Sequence, residues 1–232
     1  DGRISLAGGR DSTRVPANIA NPRDWRLFQE LAAHSECLVT TSRYLHELKA
    51  GTAQATLPVD HIGHPDLGDW RLNNGHKEQP DVAVVGNSLD YTLPPAWFEQ
   101  GRQVWLFPPS KASEEAINRH NRAGAKVAAY FAGSRVAGGM IKGTLAKLGY
   151  RRIFCIGGPQ LAHSLLADNA LDSLFLTVRQ RIIGGEQGAY ENIVEGAALD
   201  RGIDFELQWL YLDRGLGAEA GQQFTRYDRI SG

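Results

Sequence analysis

Two consecutive glycines followed by a proline form the first candidate site, because this pattern brings main-chain amides close to an anion. Gly157 and Gly158 follow a short apolar run, and Pro159 and Gln160 open a segment with helical leucine spacing. Glycine lets an anion approach without a Cβ in the way, and the N–H groups at a helix start carry the positive dipole end. The pattern predicts a phosphate-binding turn. An ordinary strand-to-helix turn is the alternative that the motif alone leaves open.

A second candidate combines hydroxyl groups with a cation. Thr41, Ser42 and Arg43 follow the apolar run that ends at Thr40, and they open a second helical pattern. Hydroxyls and a guanidinium at a helix start can bind phosphate. An N-cap serine beside a solvent-facing arginine is the alternative interpretation of the same residues.

The elements that must position these residues alternate between strands and helices. Strands are predicted at Glu36–Thr40, Val82–Val85, Val104–Phe107, Val127–Phe131 and Ile153–Ile156. Helices are predicted from Pro22, with Asn21 as N-cap, from Ser42, over Pro95–Gln100, Ser113–Arg122 and Arg135–Leu148, and from Pro159. Strands that are apolar on both faces and alternate with helices predict a parallel sheet covered on both sides. Ligands bind beyond the carboxyl ends of such strands, where Thr41, Ser88 and Gly157 all fall.

The pattern changes after Asn169, where no long helices separate the apolar segments. Leu174–Val178, an alternating run from Phe205 to Tyr211, and Gln223–Arg229 predict strands that close the sheet partly antiparallel. We therefore expect a single domain over residues 1–232 with a mixed sheet. Residues 51–79 lack periodicity and are interpreted as a surface insertion.

Composition excludes several classes of partner. A net charge of −1 and a pI of about 6.7 do not favour nucleic acid or an anionic membrane. Cys37 and Cys155 fall in separate predicted strands and are expected to be reduced core residues, which favours the cytoplasm. No apolar run approaches the roughly twenty residues of a membrane span, and no basic-then-apolar leader opens the chain. Because no initiator methionine precedes Asp1, a further strand upstream is an open expectation.

Three histidines in residues 51–79 raise the question of a metal. His61 and His64 are three residues apart, and His76 follows later. Neither a cysteine nor a third ligand at fixed spacing accompanies them, so no metal site is expected.

Several segments together resemble the reductase domain of the bifunctional riboflavin-biosynthesis deaminase-reductase. Residues 153–185 are similar to that family's succession of a Gly-Gly-Pro turn, a Leu-Leu helix, a strand and a late Gly-Gly. Asp1–Ile4 resembles its Ser-Leu-Asp-Gly-Arg/Lys-Ile signature. Arg26–Val39 resembles its helix followed by a strand, and Val84–Ser88 its strand ending in Asp-Ser. The likeness covers most of the chain outside residues 51–79.

The resemblance implies a fold and a reaction. The fold is the dihydrofolate-reductase-like three-layer α/β/α arrangement with a mixed, mostly parallel central sheet. The reaction is NADPH-dependent reduction of 5-amino-6-(5-phosphoribosylamino)uracil, a phosphorylated pyrimidine, to its ribitylamino form by hydride transfer. The family's zinc deaminase half has no counterpart in this sequence, so a stand-alone reductase is expected. No nucleophilic side chain is needed, because the nicotinamide supplies the hydride.

Family roles are carried over position by position. For the cofactor, the turn residues Gly157, Gly158, Pro159 and Gln160 are expected to hold the pyrophosphate. Thr41, Ser42 and Arg43 are expected to meet phosphate or ribose, Ser88 to lie near the adenosine 2′-phosphate, and Ala20 to lie near the nicotinamide through its backbone. For the substrate, the expected residues are Asp1 and Arg3, which are also the catalytic pair, with Arg23 or Arg26 for the phosphate and Ile156 in the family's substrate-facing position.

Departures from the family pattern leave the exact substrate open. The family usually has glutamate at the position of Ile156, and an apolar side chain cannot accept a hydrogen bond there. Thr40, Arg43, Glu30 and Gln180 also differ from the usual residues. A reductase of the same fold acting on a pterin or dihydrofolate is one alternative, and a non-catalytic nucleotide-binding module is another. The apolar strands over 174–183 and around Trp209 suggest the edge of a homodimer, with a simple core role as the alternative.

Overall fold

Eight strands and seven helices make up the part of the chain that the computed structural model describes, namely residues 4, 20–53, 59–182, 190–215 and 220–230. The helices are α1 (Pro22–His34), α2 (Ser42–Lys49), α3 (Pro65–Asn73), α4 (Pro95–Glu99), α5 (Glu114–Arg122), α6 (Gly138–Lys147) and α7 (Pro159–Ala167). The strands are β1 (Cys37–Thr41), β2 (Asp81–Val85), β3 (Val104–Phe107), β4 (Lys126–Val127), β5 (Ile153–Cys155), β6 (Ser173–Arg179), β7 (Phe205–Asp213) and β8 (Gln222–Arg229).

The first five strands form one parallel sheet in the order β4-β3-β2-β1-β5. Each pair is parallel, and the register aligns Thr41 with Val85 and Val39 with Cys155. The carboxyl ends of β5, β1 and β2 therefore lie side by side. This arrangement confirms the predicted three-layer α/β fold.

The last three strands form a separate antiparallel sheet in the order β6-β8-β7. The sequence predicted that these strands would close the main sheet, whereas here aromatic side chains connect the two sheets. The rings of Phe154 in β5 and Phe175 in β6 lie 6.1 Å apart, and Trp209 in β7 lies 6.3 Å beyond Phe175. The antiparallel sheet is thus held next to β5.

Two apolar clusters cover the parallel sheet, one on each face. On one face, Leu38, Val82, Val84 and Leu106 pack against α1–α5, and on the other, Val39, Val85 and Phe107 pack against α6 and α7. The continuous apolar runs of the sequence are explained by this double burial. α6 and α7 approach closely, because a Cβ on Gly138 would lie 2.6 Å from the Cα of Leu165.

Local sequence signals account for most of the element boundaries. Asn21 accepts a hydrogen bond from the Arg23 amide and caps α1, and Ser113 caps α5 in the same way through the Ala116 amide. Most bounds lie within two residues of the prediction, and β4 and α6 differ by more. β4 contains only two residues, with an isolated bridge between Pro109 and Phe131 beyond it, and α6 begins at Gly138 rather than Arg135.

Residues 51–53 and 59–79 contribute to the core, which corrects the expectation of an irregular surface segment. This region contains α3, and Val59 and Leu67 are buried in the larger apolar cluster. Arg71 is 1% exposed and donates to the carbonyls of Ala33 and Ser35 at the end of α1. The segment is therefore anchored to α1 by a buried guanidinium.

The three histidines of this segment contact other side chains. His61 contacts Gln79, His64 lies 3.3 Å from an Arg26 nitrogen, and His76 lies 2.7 Å from an Arg152 nitrogen. Among the described residues, no group of three or more potential metal ligands is close enough together to hold an ion. Within the same residues, no helix has the length and apolar character that crossing a bilayer requires.

Both cysteines are free thiols within the parallel sheet, as the sequence predicted. Cys37 in β1 is buried and Cys155 in β5 is half-buried. Burial raises the pKa of both thiols, to about 11 for Cys155. They are therefore neutral core side chains rather than reactive thiolates.

Candidate functional site

Three loops meet where β5, β1 and β2 end. A Cβ on Gly157 would lie 3.3 Å from the Thr41 side chain, and a Cβ on Gly86 would lie 2.5 Å from the Ser42 Cβ and 3.3 Å from the Ser88 carbonyl oxygen. The structure thus brings together Gly157, Thr41, Ser42 and Ser88, which the sequence analysis assigned to the cofactor. Glycines at 86 and 157 make this close approach possible.

The Gly157–Gly158–Pro159 turn leaves the amides at the start of α7 without a side-chain cap. Gly158 is the N-cap, its side-chain position is open, and no side chain caps the helix. Pro159 is buried, and Gln160 is exposed. Uncapped amides at the positive end of a helix dipole are suited to an anion.

The start of α2 is also uncapped and lies next to this turn. Thr41 is its N-cap but makes no side-chain capping hydrogen bond, and Thr41 and Ser42 are half-buried. Two helix starts therefore face the same corner of the sheet. A diphosphate bound there would meet amides from both helices.

Arg43 lies at this corner, but its guanidinium is engaged by two carboxylates. Its Nε donates to Glu47 at 2.7 Å, and an Nη atom donates to Glu191 at 2.7 Å. Burial disfavours the charged form, but the hydrogen bonds to Glu191 and Glu47 outweigh burial and raise the pKa of Arg43. Arg43 therefore stays cationic and has local negative partners.

A cavity of about 390 Å³ opens beyond the ends of β2 and β3. Ser88, Ser113, Lys111 and Arg119 supply hydroxyls and cations to its lining, and Asp90 supplies a carboxylate. Arg119 also donates to the Leu89 carbonyl at 2.6 Å. Sequence analysis missed Lys111 and Arg119, although Lys111 follows the end of β3 in the same way that Ser88 follows the end of β2.

The cavity and the glycine turn lie on the same edge of the sheet. Neighbouring strands are about 4.8 Å apart, so the ends of β5 and β2 are separated by about 10 Å. A dinucleotide laid across the strand ends can therefore reach from one to the other.

The arginines expected to bind a substrate phosphate both form ion pairs. Arg23, in the first turn of α1, donates to Asp213 at 2.5 Å. Arg26 donates to Glu30 at 2.7 Å and to Asp66 in α3 at 2.5 and 2.9 Å. Arg23 is near the carboxyl edge of the sheet at the start of α1, whereas Arg26 is bound to Asp66 of α3.

Ala20 and Ile156 occupy different surroundings near the site. Ala20 is exposed, and its carbonyl accepts a hydrogen bond from Arg179 at 3.1 Å. Ile156 follows β5, its amide donates to the Val39 carbonyl at 3.0 Å, and its side chain packs on the larger apolar cluster. Asp1 and Arg3, the expected catalytic pair, lie outside the described residues.

Comparison with known proteins gives the family. The sequence profile of the RibD C-terminal domain matches residues 1–201 of the 232-residue chain. The chain belongs to the RibD C-terminal domain family. No protein of curated function matches the sequence.

Solved structures support the same fold for this RibD C-terminal domain. A pyrimidine reductase-like protein from Corynebacterium diphtheriae is 19% identical with a TM-score of 0.72, covering 100% of this chain and 88% of that one. A deaminase/reductase from Thermotoga maritima is 12% identical with a TM-score of 0.61, covering 99% of this chain. This chain spans 54% of the length of that protein. Dihydrofolate reductase from Enterococcus faecalis is 15% identical with a TM-score of 0.51, covering 99% of this chain and 90% of that one.

Proposed function

We propose that this RibD C-terminal domain is an NADPH-dependent pyrimidine reductase. It reduces the ribosylamino group of 5-amino-6-(5-phosphoribosylamino)uracil to the ribitylamino form. The observation that carries the proposal is the meeting of Gly157, Thr41 and Gly86 at the carboxyl ends of three parallel strands, beside two uncapped helix starts. Membership of the RibD family supports it.

The site residues fit a dinucleotide cofactor. The open space at Gly158 and the amides of Gly158 and Gln160 suit the diphosphate. Thr41 and Ser42, at the start of α2, line the opposite side of the proposed diphosphate site. Arg43 contributes only its main-chain amide, because its side chain already pairs with two carboxylates. When bound, NADPH supplies the hydride, and the protein supplies position and exclusion of water.

The adenosine end of the cofactor fits the cavity beside Ser88. NADPH differs from NADH by a 2′-phosphate, and Lys111 and Arg119 bring two cations to the lining. Charge-assisted hydrogen bonds from such groups to a phosphate are roughly twice as strong as neutral ones. The cavity therefore favours NADPH over NADH.

On the substrate side, the proposal keeps Asp1 and Arg3 as the groups that orient the pyrimidine and stabilise its charge. Arg23 is the nearer candidate for the substrate phosphate, because it lies at the carboxyl edge of the sheet and is 38% exposed. Arg26 is not kept in this role, because Glu30 and Asp66 bind its guanidinium on the side of α3.

The direct test is oxidation of NADPH, followed by its absorbance, with the phosphoribosylamino pyrimidine as substrate. The expected result is turnover with NADPH that depends on the pyrimidine. Binding of NADPH without turnover of any candidate substrate would instead support a non-catalytic nucleotide-binding module.

Ile156 favours one second candidate, a reductase of the same fold acting on a pterin or dihydrofolate. An apolar side chain at this position cannot accept a hydrogen bond from the substrate. The same absorbance assay with a panel of pterins and dihydrofolate distinguishes the two. Faster turnover of a pterin than of the pyrimidine would select the second candidate.

A homodimer is also proposed, through the β7 edge of the antiparallel sheet. Leu210, Tyr211 and Leu212 in β7 are 51%, 61% and 43% exposed. An exposed apolar edge strand is normally covered. The expected mass from light scattering is that of a dimer, and L210K with L212K is expected to give monomers. The matched control is I62K, at an isolated residue that is 96% exposed.

A cytoplasmic location is proposed from the same cysteines that the sequence singled out. Cys37 and Cys155 are unpaired thiols, and disulfides form mainly in oxidising compartments. Two free thiols are compatible with a reducing environment.

A further inference from the structure

The residues 190–197, here called the strap, connect α2 to α7 beside the proposed cofactor corner. At one end, the carboxylate of Glu191 binds Arg43 in the first turn of α2 at 2.7 Å. At the other end, the Glu195 amide donates to the Pro159 carbonyl at 3.2 Å. His163 of α7 lies 2.7 Å from the Ala197 carbonyl oxygen. The strap is therefore attached to both helices whose starts flank the site.

The attachment to α2 depends on a half-buried ion pair. The Glu191 side chain is 14% exposed and the Arg43 side chain is 43% exposed. Glu47 binds the same guanidinium through Nε, so that Arg43 is held in one orientation between two carboxylates. Removal of one partner leaves the charge of the other half-buried without its counter-ion, which is more disruptive than breaking an exposed pair.

Glu191 also binds a residue from the beginning of the chain. The Ile4 amide donates to the Glu191 carbonyl at 2.9 Å. One residue thus contacts Arg43 at the cofactor corner through its side chain and Ile4 through its backbone. In the sequence, Ile4 directly follows the Asp-Gly-Arg segment to which the substrate-facing roles were assigned.

We propose that Glu191 is a positioning residue, which fixes the Ile4 backbone relative to the cofactor corner through its ion pair with Arg43. The effect that this inference predicts on turnover rests on the proposed reductase function. In this proposal the side chain of Arg43 holds the strap and does not bind a cofactor phosphate. Loss of either partner lets Ile4 shift, although the amides of the glycine turn stay in place.

The two roles of Arg43 predict different results for cofactor binding. If Arg43 and Glu191 act as a positioning pair, R43A and E191A should lower kcat/KM by the same factor. The double variant should then lose no more than either single variant, because both substitutions break the same contact. If instead the Arg43 side chain binds a cofactor phosphate, R43A should weaken NADPH binding. E191A should then leave NADPH binding unchanged or strengthen it, because Glu191 would only compete with the phosphate for the guanidinium.

The experiment measures kcat and KM for the pyrimidine and the Kd of NADPH in R43A, E191A and the double variant. Each single variant is expected to lower kcat/KM about tenfold, with the double variant no worse and the Kd of NADPH within about threefold of wild type. R43K is expected to restore part of the loss, because its ammonium can still pair with Glu191. E47Q is the matched control, since it removes the charge of the other partner of Arg43 and leaves the strap attached.

A second readout follows the Ile4 amide by hydrogen exchange without substrate or cofactor. Faster exchange at Ile4 in R43A and E191A, but not in E47Q, is the expected result. Unchanged exchange at Ile4, or a tenfold weaker NADPH affinity confined to R43A, would overturn the proposal. If the wild-type protein does not oxidise NADPH with the pyrimidine, the proposed function fails, and the exchange data still decide whether Glu191 positions Ile4.

Discussion

Two adjacent glycines in the turn before α7 are required for different reasons. Gly157 is enclosed, because a Cβ there would lie 2.5 Å from a Leu161 methyl carbon and 3.3 Å from Thr41. Gly158 has open space, and its φ of −72° is accessible to any residue. Gly157 therefore serves packing, whereas Gly158 keeps the approach to the α7 amides clear.

Replacement of Gly157 is expected to destabilise the fold. Because the added Cβ overlaps Leu161, G157A should lower the free energy of unfolding by about 1–3 kcal/mol. Urea denaturation followed by circular dichroism measures the change. G143A is the control, since nothing lies within 4 Å of a Cβ at that position in α6, and alanine should stabilise the helix by up to about 1 kcal/mol. Equal stability of G157A and wild type would contradict the packing role.

Lys111 is expected to determine the preference between the two nicotinamide cofactors. K111A should weaken NADPH binding about tenfold, the cost of one charged hydrogen bond, and change NADH binding less than about twofold. Fluorescence titration with each cofactor measures both values. K142A, which loses a lysine paired with Asp172, is the control. Parallel losses for NADPH and NADH in K111A would place the 2′-phosphate elsewhere.

At the scale of elements, the parallel sheet was predictable because its signals are local. β2 and β3 are buried on both faces and appear in the sequence as unbroken apolar runs, and Asn21 and Ser113 mark helix starts by capping. α3 was missed because its apolar residues do not form a stripe and a buried arginine anchors it. The separate antiparallel sheet depends on ring contacts such as Phe154 with Phe175, which no local pattern encodes.

The candidate site was predictable only in part, for the same reason. Glycine turns and hydroxyls at strand ends identify themselves in the sequence once the sheet is known to be parallel. The ion-pair partners of the arginines cannot be recognised in the sequence. Arg23 binds Asp213, which is 190 positions away, and Arg43 binds Glu191, which is 148 positions away. The charge of Arg43, which looks available to a ligand in the sequence, is thus neutralised by a distant part of the chain.

Arg71 tests whether α3 is an integral part of the fold. Its guanidinium donates to the Ala33 and Ser35 carbonyls and also to those of Lys77 and Glu78. R71A leaves the buried carbonyls of Ala33 and Ser35 unpaired and should lower the free energy of unfolding by about 3 kcal/mol or more. R122A, at the exposed end of α5, should change it by less than about 0.5 kcal/mol in the same denaturation assay. A small effect of R71A would mean that α3 is dispensable.

At the scale of the whole molecule, the pH dependence of stability follows from groups whose pKa is lower in the folded state than in the unfolded state. Burial lowers the pKa of His34, His76 and His120. The hydrogen bond from Arg23 lowers the pKa of Asp213, which links α1 to the antiparallel sheet. For each group, the folded state holds the proton more weakly than the unfolded state does.

Stability should therefore fall on acidification in two ranges. The contribution of the histidines is complete above their unfolded pKa of about 6.5 and is lost as the pH falls through their lower folded pKa values. The contribution of Asp213 is present above about pH 3.9 and is lost below it. Denaturation at pH 7, 5 and 3.5 measures both losses, and H120Q should reduce the first. An unfolding free energy that stays constant between pH 7 and 5 would contradict this account.

The binding of NADPH by G158S tests the central claim most directly. Serine is a favourable N-cap, so this variant should be at least as stable as wild type, while its side chain fills the open approach and competes for the α7 amides. In a fluorescence titration, wild type should bind NADPH at micromolar concentration, and G158S should bind at least about tenfold more weakly. Equal affinity in the two proteins would show that the cofactor diphosphate does not lie against this turn.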